Sequence, residues 1–169
     1  QPAGVKAKYS DFEDVHESIT RAKSLGMQVM LDLHFSDFWA DPGRQVVPAA
    51  WRDIAYNLSV LKDSVYNYVA KVLYELHRHD LMPEFISIGN ETNSGFLLHE
   101  SMDVNFDPVG TISSDWNRHA QLYNSAIRAV RDFSDTTLIK PRITLHFAGL
   151  SGASWWYKNI INRGVTDFD

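Results

Sequence analysis

The chain has 169 residues, enough for one domain with a substantial buried core. Apolar residues make up 44% and charged residues 22%, which excludes a disordered chain; a formal charge of −5 without basic runs argues against nucleic acid or an anionic membrane surface as partner. The absence of cysteine excludes a disulfide scaffold, cysteine-ligated zinc, an iron–sulfur cluster and a thiol nucleophile.

Two hydrophobic periods alternate along the chain. Ser10-Asp11-Phe12-Glu13 reads as a capping box with Ser10 as N-cap. Phe12, Val15, Ile19, Ala22 and Leu25 follow at helical spacing, and Gly26 is the stop. Met27–Leu33 is short and nearly all apolar, as a buried parallel strand would be. Residues 36–58 carry no clear period. A second helix is predicted from about Leu61 to His79, with the stripe Leu61, Val65, Tyr68, Val69, Val72, Leu73 and Leu76. Phe85–Ile88 is a second strand and runs into Gly89-Asn90-Glu91. After another aperiodic stretch, a third helix is predicted over about Asp115–Phe133, capped by Ser114, with Trp116, Ala120, Tyr123, Ile127 and Val130 as its buried stripe. Arg142–Phe147 is a third strand, Ser154–Asn162 a short helix, and Thr166–Asp169 the approach to a fourth strand.

Strands separated by helices require a parallel sheet with right-handed crossovers. No G-x-G-x-x-G or G-x-x-x-x-G-K-[ST] turn occurs, which weakens a nucleotide-binding open sheet. Instead the strands end in polar side chains: Asp32, His34 and Asp37; Asn90 and Glu91; His146. That placement matches a (β/α)8 TIM barrel, whose site is built at the C-terminal ends of its strands. A full barrel takes about 250 residues, so one partial α/β barrel domain over residues 1–169 is expected. Val29, Leu31, Ile86, Ile88, Ile143 and Leu145 are expected to line its interior.

Glu91 at a strand terminus beside Asn90 can be a carboxylic acid that protonates a leaving oxygen, with Asn90 donating to a sugar hydroxyl. The alternative is a surface Glu in a turn. Alternation puts Asp32 and His34 on one face of their strand. They can belong to a metal site with His146, to a polar layer that binds hydroxyls, or, for Asp32, to the support of a loop backbone. Trp39 can stack on a sugar ring. Of Trp155 and Trp156, one is expected to pack on the sheet. His16, His77, His79, His99 and His119 read as surface or packing residues.

The stretch Asp32-Leu33-His34-Phe35-Ser36-Asp37-Phe38-Trp39-Ala40-Asp41-Pro42-Gly43-Arg44-Gln45, followed by Pro48 and Trp51, resembles the signature of glycoside hydrolase family 53, the endo-β-1,4-galactanases. Ile86–Gly95 resembles that family's acid/base strand, and Leu145-His146-Phe147-Ala148-Gly149 its next one. The resemblance implies a retaining glycosidase acting on β-1,4-galactan or type I arabinogalactan. It places Met27–Leu33 on strand three of the barrel, Glu91 on four, His146 on five and Asp169 at the start of six. Strands one, two, seven and eight are then missing.

By the same resemblance Glu91 is the general acid/base and Asn90 orients the sugar. His34, Asp37, Trp39, Asp41 and His146 line the cleft. The nucleophile Glu would lie on strand seven, and no Glu follows Glu100. No cofactor is implied; the calcium of some members belongs to a part of the fold beyond these strands. The expected partner is a galactan or galacto-oligosaccharide, with self-association through open sheet edges. A polymeric substrate implies export to the medium, the cell surface or the periplasm, in a bacterium. The start Gln1-Pro2-Ala3-Gly4 is not a signal peptide, and no apolar run approaches a membrane span. Two other readings remain: a non-catalytic carbohydrate-binding or structural fragment, and a metal-dependent barrel hydrolase.

Overall fold

The computed structural model describes residues 11–95, 97–98 and 112–169. In chain order the elements are α1 (Phe12–Ser24), β1 (Met30–Leu33), a 3-10 turn (Ala49–Ile54), α2 (Leu58–His77), β2 (Phe85–Ile88), α3 (Ile112–Ser134), β3 (Arg142–Leu145) and α4 (Ala153–Ile161). The predicted alternation of helix and strand is present; β2 has its expected range, whereas β1 and β3 are shorter than the expected Met27–Leu33 and Arg142–Phe147.

The cap of α1 differs from the expected one. The Asp11 carboxylate accepts the Asp14 N–H at 3.0 Å, so the helix starts one residue later than a Ser10 cap would set it; Ser10 lies outside the described residues. Gly26, at φ +72°, ends α1 in a conformation that a β-carbon would strain. Asn57 caps α2 through Val60 N–H at 3.3 Å. Ser114 is not a cap, because α3 already begins at Ile112.

The strands form one parallel sheet in the order β1-β2-β3. Leu31, Ile86 and Ile143 lie in register, as do Leu33, Ile88 and Leu145. These rows pack with Val65, Val69 and Leu73 of α2 and with Tyr123, Ala126, Ile127 and Val130 of α3. The expectation that the apolar strand residues face the barrel interior is therefore corrected. They face the helices, and Val29 and Leu31 also join a smaller cluster with Ile19, Leu76 and Leu81. The opposite face carries the polar row Asp32, Ser87 and Thr144. Period-two alternation fixes only that the two sets are separate; the helix layer decides which set is outside. The predicted stripe of α3 is buried throughout, whereas Tyr68 of α2 stays 39% exposed and meets the edges of Phe35 and Trp51. Trp156 is buried and Trp155 is half exposed.

The N-terminal ends of the strands are tied by Glu84. Its carboxylate accepts Lys23 Nζ at 2.6 Å and Val29 N–H at 2.8 Å, its own N–H donates to the Val29 carbonyl, and its carbonyl accepts Arg142 N–H. Along β3, Asp169 exchanges two bonds with Ile143: its N–H donates to the Ile143 carbonyl and its carboxylate accepts the Ile143 N–H. The chain thus reaches the free edge of β3, where a next strand was expected.

Burial by itself raises the pKa of Glu84, but the bonds from Lys23 and Val29 outweigh it and hold the carboxyl below its usual value. A depressed folded-state pKa stabilises the fold above the ordinary carboxylate range, and that contribution is lost as pH falls through the folded pKa. In a complete barrel carrying this sequence, Glu84→Gln is expected to cost about 1–3 kcal/mol near neutral pH. The difference from wild type should shrink below about pH 4. Denaturant unfolding at both pH values checks this.

Candidate active site

Every candidate side chain emerges from the C-terminal end of a strand or from the loop that follows it. After β2 the chain turns through Gly89 at φ +78° and then Glu91 at φ +47°. The left-handed region suits glycine and costs a residue with a β-carbon about 1–2 kcal/mol. Glu91 is kept there by neighbours on both sides. Toward β1, Gln45 Nε2 donates to the carbonyls of Asn90 at 2.8 Å and Glu91 at 3.1 Å. Toward β3, Thr92 N–H and Thr92 Oγ1 both donate to the His146 carbonyl. Asn93 then exchanges two bonds with Ala148, and Trp156 Nε1 donates to the Asn93 carbonyl. Tyr123 OH donates to Thr92 Oγ1, and its burial holds the phenol protonated far above its usual range. Glu91 as a residue is half-buried, and its carboxylate makes no hydrogen bond among the described residues.

Asn90 is fixed at both ends of its amide. Its Nδ2 donates to the Ala40 carbonyl at 2.7 Å, so its Oδ1 is the atom that lies 2.9 Å from His146 Nδ1. That assignment gives His146 a proton on Nδ1 and leaves Nε2 of the neutral ring as an acceptor. One amide hydrogen of Asn90 remains beyond the Ala40 bond.

The β1 side forms a second group. His34 Nε2 lies 3.0 Å from Asp32 Oδ2, and the His34 ring meets the edge of Trp39 at 6.2 Å. Asp32 Oδ1 is buried without a partner among the described residues. Trp39 is 73% exposed, which fits a ring that stacks on a ligand better than one that packs in a core. Asp37 and Asp41 hold their own loop. Asp37 Oδ2 accepts Ala49 N–H at 2.7 Å, and Asp41 Oδ1 accepts Gly43 N–H at 2.7 Å. The structure thus joins Asn90 with His146 and Asp32 with His34. Ala40 links the Trp39 loop to Asn90.

The metal grouping of Asp32, His34 and His146 does not form. Asp32 and His34 bond each other, His146 bonds Asn90, and no three His, Asp or Glu side chains among the described residues gather to hold an ion. Of the other histidines, His119 is fully buried; desolvation, aided by the nearby Arg118 charge, lowers its pKa to about 3. His99 lies outside the described residues. Gln45, Thr92, Asn93 and Tyr123 were not among the candidates. Gln45 stood inside the fourteen-residue motif, but its partners are 45 and 46 residues away in sequence.

The chain matches the glycosyl hydrolase family 53 over residues 1–169. It belongs to that family. It is 39% identical over 162 residues to an arabinogalactan endo-beta-1,4-galactanase of Cellvibrio japonicus, a match that covers 96% of this chain and 41% of that protein. An enzyme of the same name from Thermothelomyces thermophilus is 34% identical over 155 residues, covering 88% of this chain and 42% of the relative. The family 53 catalytic domain of Ignisphaera aggregans superposes with a TM-score of 0.75 at 32% identity, over 94% of this chain and 40% of that one. The chain therefore spans about two-fifths of the length of these family members. Its three parallel strands with their helices are part of the family's barrel, as expected from the sequence.

The left-handed backbone of Glu91 has a measurable consequence. Alanine ordinarily outranks glycine by about 0.4–1 kcal/mol through the unfolded chain. At position 91 the order should reverse: in a complete barrel, Glu91→Gly should be at least as stable as Glu91→Ala, by up to about 1 kcal/mol. Paired denaturation curves decide it, and a more stable alanine variant would contradict the positive φ.

Proposed function

We propose that this sequence supplies the acid/base half of a retaining endo-β-1,4-galactanase. The observation that carries the reading is the carboxylate of Glu91, unbonded among the described residues on a backbone held from both sides, in a chain of family 53. Glu91 protonates the glycosidic oxygen as the bond to the anomeric carbon breaks. It then removes a proton from the water that releases the sugar. The nucleophile is a second carboxylate about 5–5.5 Å away, supplied from outside this sequence.

Asn90 and His146 form one polar wall, offering an amide N–H and the His146 Nε2 lone pair to sugar hydroxyls. His34, Asp37 and Asp41 shape the other, and Trp39 gives a ring face to the C–H side of a galactose. The curated relatives are named for arabinogalactan and β-1,4-galactan, and a neutral galactan meets no opposition from a net charge of −5. Two carboxylates suffice for this chemistry, so no cofactor is assigned to it. Among the described residues no helix is long and apolar enough to cross a membrane. A polymeric plant-wall substrate places the enzyme outside the cytoplasm.

In a complete barrel, Glu91→Gln should lower β-1,4-galactan hydrolysis about 10²–10⁴-fold with little change in melting temperature. Reducing-sugar release with a parallel thermal melt tests it. Activity within twofold of wild type would overturn the assignment and favour a binding or structural role for this segment.

Residues 1–169 by themselves also leave β1 and β3 as the edge strands of the sheet, with only Ile143 of β3 covered by Asp169 and the Leu145 carbonyl by Tyr157 among the described residues. Expressed alone, they should self-associate and lack galactanase activity. Sedimentation velocity and a galactan assay check both, and a monomer that cleaves galactan would place the nucleophile among the carboxylates present here.

A further inference from the structure

We infer that Gln45 is a positioning residue for the acid/base, acting through the backbone of Glu91; this rests on the role of Glu91 proposed above. Gln45 is buried at 5% exposure, among the few polar side chains in the interior. Its amide nitrogen faces three carbonyls: Asp41 at 3.0 Å, Asn90 at 2.8 Å and Glu91 at 3.1 Å. Two N–H groups are shared among three acceptors, so every donor is used. The backbone of Gln45 is fixed as well. Its carbonyl accepts Leu98 N–H at 2.7 Å, and the Leu98 carbonyl accepts Val47 N–H at 2.7 Å, within a parallel bridge between Val46 and Leu98.

Three consecutive carbonyls of the β1 loop meet three donors around this amide. Ala40 accepts Asn90 Nδ2, Asp41 accepts Gln45 Nε2, and Pro42 accepts Ser94 Oγ. The β1 loop and the β2 loop are thereby closed against each other, with Gln45 at the seam. Gln45 binds the carbonyls on both sides of the Glu91 α-carbon, those of Asn90 and of Glu91 itself. Those two peptide planes set φ and ψ of Glu91, and so the direction of its carboxyl. The Gln45 side chain bonds backbone carbonyls and not the carboxylate. Its loss should therefore misalign proton transfer while leaving the Glu91 carboxyl in the site. A displacement of about 1 Å at such a group can cost about 100-fold in rate.

The leaving group separates positioning from mere support. Bond breaking to a 2,4-dinitrophenolate needs no proton, whereas departure of a phenolate does. In a complete barrel carrying this sequence, kcat/KM is measured on 2,4-dinitrophenyl and phenyl β-1,4-galactobiosides for wild type, Gln45→Met and Glu91→Gln. Gln45→Met should lose about 10- to 100-fold on the phenyl glycoside and less than about threefold on the dinitrophenyl one. Glu91→Gln should show the same pattern, more steeply. With Gln45→Met, added azide should also raise turnover of the dinitrophenyl substrate by attacking the glycosyl-enzyme in place of water and releasing the galactobiosyl azide.

Equal losses of Gln45→Met on both substrates, or none, beside a steep Glu91→Gln pattern would overturn the inference and leave the acid/base reading intact. A flat Glu91→Gln pattern would overturn the acid/base reading, and this inference with it. If Gln45→Met does not fold, Gln45→Asn keeps the amide but withdraws it by one methylene, and the same comparison of leaving groups decides the matter.

Discussion

The site depends on one constraint: a glutamate must stand in the left-handed backbone region at the end of a strand. That conformation is costly for any residue with a β-carbon, and it persists because the surrounding bonds over-determine it. Gln45 holds the carbonyls on one side, and Thr92 and Asn93 attach the other side to the loop after β3. The strain is local, and the restraint comes from two neighbouring barrel units. The result is a stretch of backbone with little freedom that carries a carboxylate with no bond among the described residues.

The same design logic separates the two ends of the sheet. At the N-terminal ends Glu84 bonds a lysine, a backbone amide of the β1 segment and the start of β3, which concerns stability. At the C-terminal ends the bonds run from side-chain amides and hydroxyls to loop carbonyls, which concerns direction. Between them the apolar rows of the strands face α2 and α3, while Asp32, Ser87 and Thr144 face the other way. A polar inner row continues into His34 and His146 at its upper end, so the strand alternation itself delivers polar groups toward the cleft.

Much of this was legible in the sequence. The helical stripe of α3 follows from periodicity, because burial on one side leaves a period in the residues, and the β2 range Phe85–Ile88 from a short apolar run between Pro83 and Gly89. The motif from Asp32 to Gln45 and the Asn90-Glu91 pair identified the family on local residues. Other features were not legible. The α1 cap falls on Asp11, one of two adjacent residues with equal capping chemistry. Alternation in four-residue strands with only one or two polar residues does not declare which side the helices take, so an apolar inward face is expected from the sequence and a polar one is found.

Sequence alone therefore determined the alternation of elements and the family, and it singled out the candidate carboxylate, since each is written in residue types at short spacing. Only the tertiary structure decided how that carboxylate is held. The bonds from Gln45 to Asn90 and Glu91, from Thr92 to the His146 carbonyl and between His146 and Asn90 join residues about 45 to 56 positions apart. Such pairings arise when parallel strands bring the ends of successive loops together, and no local pattern in the chain encodes them.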